Sequence, residues 1–273
     1  MLVQYLTKGG TKDLLVPHFR FHTVMHTESE TRIFEEIARL RYDVYCAECK
    51  YLDETEFEAG LETDGFEDRS VHVAAQNAKD EVIGTVRLVL ATQEQEFPFE
   101  EHCTVFPDLK LPPKAECGEV SRLIVKRTFR RRPGDSMQGV SKEFQDKGDA
   151  TSIAPPTGIT GKERRSSSPE IMIGMYREIF RYSIDNGIRY WYAAMEKGLA
   201  RLLDRMGFHF VPVGPETDYY GPVTTYIADL RELEVALAKT NPFLLAWFRG
   251  DKISDWMLIS TMVKYKLGML GKL

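Results

Sequence analysis

Between residues 29 and 48 the chain reads "SETRIFEEIARLRYDVYCAE", and Ile33, Phe34, Ile37, Leu40 and Val44 fall on one face at a helical period. That spacing predicts an amphipathic helix. Residues 50–70, "KYLDETEFEAGLETDGFEDRS", lose the period and gather Glu62, Asp64, Glu67 and Asp68 in an acidic loop. "VHVAAQN" and "EVIGTVRLVLAT" then read as two strands joined by the turn "NAKD". After a proline-broken stretch over 97–117 comes another strand, opening "GEVSRLIV". A second helix is predicted over 169–186, with Pro169 at its start, Ile171, Met175, Ile179 and Tyr182 on one face, and Gly187 just past its end. "IRYWYAAME" is an apolar strand, "KGLARLLDRMG" a short helix, and "FHFVPVG" and "VTTYIADL" two further strands. From 241 the chain is apolar and helical, but Asp251, Lys252 and Asp255 interrupt it too often for a bilayer span.

The order helix, strand, strand, strand, helix, strand, helix, strand, strand predicts a mixed α/β domain with its ligand at strand C-terminal ends. Residues 1–27 read as an irregular arm, 28–235 as the domain and 236–273 as a helical extension. Residues 136–168, rich in Ser, Gly, Pro and charge, are expected to be a mobile insertion, because they offer little to bury.

Composition narrows the classes. At 43% apolar and 28% charged, the chain has the profile of a soluble globular protein. A net charge of -5 gives no electrostatic footprint for nucleic acid, though local clusters can still bind an anion. The first twenty residues carry Lys8, Lys12, Asp13 and Arg20 and no apolar stretch, so a cytoplasmic setting with free thiols is expected for Cys46, Cys49, Cys103 and Cys117. Cys46 and Cys49 form a C-x-x-C pair, but it lies in a helical pattern and has no second pair, so no metal site is assigned. His72 and His102 lack ligand-spaced partners. Tyr190, Trp191 and Tyr192 read as core. The tail aromatics Phe243, Trp247, Phe248 and Trp256 are expected to pack on the domain, with a peripheral membrane contact left open by Lys264, Lys266 and Lys272.

The stretch "GEVSRLIVKRTFRRRPGD" holds the most chemistry. Strict alternation puts Glu119 and Ser121 on one face and Arg122 on the other. Glu119 and Arg122 share a cleft only if a bulge shifts the strand by one residue, and such a bulge frees a backbone N–H that can stabilise an oxyanion. The exit supplies Arg131, Arg132 and Gly134 ahead of a helix, which is the material of a phosphate seat.

Glu-x-Ser-Arg on a strand, running into Arg-x-x-Gly-x-Ser and a helix, resembles the central strand and pyrophosphate loop of the N-acyltransferase (GNAT) fold. "LRYDVYCAE", "ETDGFED", "GTVRLVLAT" and "GEVSRLIV", in this order, resemble the acyl-homoserine-lactone synthases. "YAAMEKGLARLLDRMGFHFVPVGPETDYYGPVTTYIADL" is similar to the N-acyl amino acid synthases and to acyltransferases associated with PEP-CTERM/exosortase systems. The resemblance spans about 30–232 apart from the insertion. It implies substrate-binding roles for Arg41, Tyr45, Asp64, Glu67 (a glutamate where the family has its second aspartate) and Arg87, and catalytic roles for Glu119, Ser121 and Arg122. Where the lactone synthases carry a tryptophan near their S-adenosylmethionine site, this chain has Cys49, Lys50 and Tyr51, which counts for a free amino acid as acceptor.

An acyl thioester is already activated, so the reaction needs a free amine, a base and an oxyanion donor, with no cofactor beyond the phosphopantetheine-borne thioester itself. Glu119 is the candidate base. The expected activity is transfer of a long-chain fatty acyl group from acyl-carrier protein to an amino-acid amine. Lys126, Arg127, Arg130, Arg131, Arg132 and Gly134 are the expected acyl-carrier and phosphopantetheine contacts. The alternatives are an acyl-homoserine-lactone synthase and a non-catalytic domain that binds acyl carrier or lipid.

Overall fold

The computed structural model describes residues 15–16, 18–27, 30–57, 59–129, 163–205 and 207–266. Its seven strands are β1 (Arg20–Met25), β2 (Ser70–Gln76), β3 (Val82–Leu90), β4 (Cys117–Val125), β5 (Tyr190–Met195), β6 (Val211–Asp218) and β7 (Pro222–Asp229). The helices are α1 (Thr31–Tyr42), α2 (Glu163–Asp185), α3 (Lys197–Arg205), α4 (Leu230–Thr240), α5 (Pro242–Arg249) and α6 (Asp255–Lys266). Strands hydrogen-bond in the order β1-β2-β3-β4-β5-β7-β6. β4 and β5 run parallel, whereas β1 with β2, β5 with β7, and β6 with β7 are antiparallel. The result is a mixed α/β sheet flanked by helices, as expected.

The chain forms two compact units, Met1–Arg87 with Arg122–Tyr176 and Leu88–Ser121 with Arg177–Leu273. In the first, α1 buries Phe34, Ile37 and Leu40 in a cluster with Val24, Val44, Ala74, Val82 and Ile124. β2 is buried along its whole length, and β3 along all but its last residue. That explains why β2 reads as a near-continuous apolar run rather than a clean alternation. Gly84 is required there, because a Cβ would sit 3.0 Å from an Ile171 methyl and 3.1 Å from the Ile124 carbonyl. In the second unit the core gathers Phe97, Phe99, Cys103, Cys117, Tyr192, Val213 and Val223. Trp191 is also buried, and its indole N–H donates to Ser183 Oγ at 2.9 Å.

Three features depart from the periodicity. Arg20–Met25, within the expected irregular arm, is strand β1, paired with β2 from Arg20↔Gln76 to Met25↔Val71. Only Val24 of this edge strand is buried, so it leaves almost no apolar signature. α2 begins at Glu163 rather than Pro169, since its polar opening residues carry no stripe. The mobility expected of 136–168 otherwise falls outside the described residues. Finally, α4 follows β7 directly: Asp229 caps it by accepting the Arg231 N–H at 2.9 Å, and Leu230, Leu233 and Leu237 are buried.

In the helical extension, Phe243, Trp247 and Phe248 are buried as expected of packing aromatics. Trp256 is not; its exposure is 75%. Among the described residues no helix is long and apolar enough to cross a membrane.

Candidate functional site

α1 ends in a π-helical turn, Asp43–Glu48, in which the Cys49 N–H reaches back to the Val44 carbonyl at 2.9 Å. Such turns insert an extra residue and often mark functional positions. Cys46 and Cys49 lie here, buried and not joined in a disulfide, and burial pushes the Cys46 thiol up to about 11. Arg41, two residues before this turn, is completely buried. Its Nε donates to Glu62 Oε2, and its Nη2 lies 2.9 Å from Glu67 Oε1.

The acidic loop therefore turns inward. Glu62 is 1% exposed and takes Arg122 as well, at 2.9 Å from Nη2 and 3.2 Å from Nε. Burial alone would raise its pKa, but Arg122 and Arg41 outweigh that and bring it down to about 2. Glu67 places Oε1 between Arg41 and Arg87 and Oε2 3.0 Å from His72 Nε2. Burial again pushes upward, yet His72, Arg41 and Arg87 hold this carboxyl far below the usual range. Arg87, on β3 and completely buried, binds Asp64 Oδ1 at 2.6 Å, and Asp64 Oδ2 reaches Arg122 Nη2 at 3.1 Å.

Three guanidinium groups thus meet three carboxylates, a balance that makes burial of so much charge tolerable. The cluster is closed on one side and open on the other. Arg41, Arg87, Glu62 and Glu67 are enclosed, whereas the side chains of Asp64 and Arg122 are 22% and 16% exposed. The Arg122 guanidinium stands 5.3 Å over the Tyr45 ring, so Tyr45 forms part of the open edge. Arg41, Tyr45, Asp64, Glu67, Arg87 and Arg122 are all brought together.

β4 is the strand where alternation fails. Arg122 has φ +52, a left-handed value rarely adopted by a long side chain. Positive φ in mid-strand costs roughly 1–3 kcal/mol and persists where surrounding contacts hold it. Here the bonds to Glu62 and Asp64 do so. The β4–β5 ladder runs from Cys117↔Tyr190 to Glu119↔Tyr192 and goes no further, although both strands continue. At its last rung Glu119 is 3% exposed and accepts the Phe99 backbone N–H at 2.9 Å. Ser121 is half-buried on the stretch beyond the ladder.

Lys126 and Arg127 are exposed just after β4. Arg130, Arg131, Arg132 and Gly134 lie outside the described residues, as do the turn and the loop they would form. Two residues of the network escaped the sequence reading as site members. Glu62 was visible only as one acid among several, with partners 21 and 60 positions away. His72 looked solitary, and its one signal was a polar residue inside an otherwise apolar strand.

Residues 40–139 match the acetyltransferase (GNAT) domain family. No curated protein matches the chain. Among solved structures, the chain is similar to the AHL synthase LasI, with 16% identity over 81% of this chain and 95% of that one and a TM-score of 0.53. The CoA-dependent acyl-homoserine lactone synthase BjaI shares 17% identity over 89% and 99%, with a TM-score of 0.52. MesI, another described as CoA-dependent, shares 18% over 86% and 97%, with a TM-score of 0.53. At these identities the likeness establishes the fold. Together with the domain match over residues 40–139, that fold is of the GNAT type.

Proposed function

We propose that the protein transfers a long-chain fatty acyl group from an acyl-carrier-protein thioester to the α-amine of an amino acid. The observation that carries this reading is the open edge of the ion network. There a guanidinium, Arg122, and a carboxylate, Asp64, lie 3.1 Å apart and partly exposed, while every other charge of the network is enclosed. A zwitterionic acceptor needs that pair: the guanidinium for its carboxylate and the carboxylate for its ammonium. The Tyr45 ring under Arg122 supplies an apolar wall.

Chemistry then asks for a base and an oxyanion donor. Glu119 takes the proton of the amine, directly or through a water, and the amine nitrogen attacks the thioester carbonyl. The tetrahedral oxyanion is met by backbone N–H after Ser121, where positive φ turns the chain out of the strand line. Collapse breaks the C–S bond; the thiol leaves with a proton and the amide remains. Cys49, Lys50 and Tyr51, in the stretch where the lactone synthases carry a tryptophan, support an amino acid over S-adenosylmethionine. Exposed Lys126 and Arg127 support an acidic carrier as donor, although BjaI and MesI are CoA-dependent.

The test is incubation of the purified protein with palmitoyl-carrier protein or palmitoyl-CoA and a mixture of the twenty amino acids. Thiol release is followed and the products are read by mass spectrometry. An N-acyl amino acid, made faster from the carrier, bears the reading out. A lactone formed only with S-adenosylmethionine makes the protein an autoinducer synthase. Thioester binding without thiol release makes it a binding domain.

A further inference from the structure

We propose that His72 is a positioning residue for the acceptor, acting through Glu67 on the carboxylate–guanidinium chain that ends at Asp64 and Arg122. This rests on the reading that the Asp64–Arg122 edge receives the acceptor. His72 lies on β2, completely buried, with the Phe34 ring edge-on at 5.3 Å. Its Nε2 is 3.0 Å from Glu67 Oε2, an ion-pair approach off the line of an ideal hydrogen bond, and its Nδ1 meets no hydrogen-bonding partner among the described residues. A carboxylate can only accept, so the ring proton belongs on Nε2 and Nδ1 is left as a bare lone pair. Burial first, and the charges of Arg41 and Arg87 after it, favour the neutral ring.

The consequence is geometric. Glu67 has one oxygen facing the imidazole, and its other oxygen accepts from the Asp64 backbone N–H at 3.2 Å and Arg87 Nη1 at 3.4 Å while pairing with Arg41 Nη2 at 2.9 Å. Without the imidazole N–H beside Oε2 the carboxylate is free to rotate and offer both oxygens to the guanidinium groups. Arg87 Nη1 would follow it, and the same nitrogen holds Asp64 Oδ1 at 2.6 Å. Asp64 in turn holds Arg122 through its second oxygen at 3.1 Å. A displacement begun at His72 therefore arrives at the two partly exposed groups of the network. Nothing in this chain of contacts touches Lys126 or Arg127, so the thioester donor should not feel it.

Three variants separate positioning from mere packing. His72→Phe keeps the ring and its contact with Phe34 but removes the N–H. His72→Gln places an amide N–H near the position of Nε2, and His72→Asn places one near Nδ1. Removing a residue that orients a substrate-binding group typically costs about 10-fold or more. The acceptor KM should therefore rise about tenfold in His72→Phe and His72→Asn, with the donor KM unchanged, and His72→Gln should recover most of the loss. A parallel rise in both KM values, or a Gln variant as poor as Asn, overturns the proposal. Should the Phe variant fail to fold, the Gln and Asn pair decides alone. Nitrogen-15 NMR of the wild type gives a readout independent of turnover, with the His72 resonances assigned by their loss in the Gln variant. A protonated Nε2 and a bare Nδ1 are expected, and an Nδ1–H tautomer overturns the proposal. If the wild type acylates no amino acid, the acceptor reading falls while the tautomer still judges the geometry at Glu67.

Discussion

Replacing Glu62 by glutamine tests the ion network at its centre. The side chain keeps its length, but two arginines lose their shared carboxylate, and one of them, Arg41, is completely buried and has no water to turn to. The magnitude follows from the carboxyl itself, which is held at about 2 against an ordinary 4.5. At 1.36 kcal/mol per unit, that difference is about 3 kcal/mol of folding free energy at neutral pH. This agrees with the roughly 3–5 kcal/mol lost when one partner of a buried ion pair is removed.

The pH dependence carries the sharper test. Because the folded-state value is depressed, the unfolded chain binds the proton first as pH falls. The stabilisation is complete above about 4.5 and disappears as pH approaches 2. At pH 3 less than half of it should remain. Urea unfolding of wild type and Glu62→Gln at pH 7 and pH 3, followed by circular dichroism, should therefore show a gap that narrows by more than half. A gap below about 1 kcal/mol at pH 7, or one of equal size at both pH values, would refute the reasoning.

Other outcomes are open to simple assays. Glu119→Gln should lower kcat by about 10²-fold, with little change in unfolding midpoint, because the amide can still accept the Phe99 N–H; unchanged turnover across pH removes Glu119 as base. Lys126→Glu combined with Arg127→Glu should abolish any preference for acyl-carrier protein over acyl-CoA at low ionic strength, and salt should do the same to the wild type; a preference that survives both rules out charge steering by these residues. Gly118→Val should destabilise the second unit by roughly 1–3 kcal/mol in thermal unfolding, since even a Cβ there would lie 2.7 Å from Leu88 Cδ1.

Periodicity settled a good deal without any structure. The stripe of Phe34, Ile37 and Leu40 announces α1. The turn at Asn77–Asp80 separates β2 from β3, and the order of helices and strands identifies a mixed α/β fold. These are local signals, because a helix or a strand must show its own core-facing residues within a few positions. The same logic placed Arg41, Tyr45 and Arg87 near one another only through resemblance to a family, since no local rule joins them. The candidate charges were thus legible as residues but not as partners.

Tertiary structure alone decided which charges are buried and what they hold. By composition the acidic loop is a solvated segment, yet Glu62 and Glu67 point inward because Arg41 on α1, Arg87 on β3 and Arg122 on β4 converge there. No window of sequence contains that convergence; its contacts span 20 to 60 positions. The conformation of Arg122 belongs with them. An arginine does not choose φ +52 by itself, and it is held there by carboxylates that the fold delivers from the far end of a loop. β1 teaches the converse: an edge strand with one buried residue is defined by its hydrogen-bonding neighbour, and pairing leaves no mark on the side chains that could be read in advance.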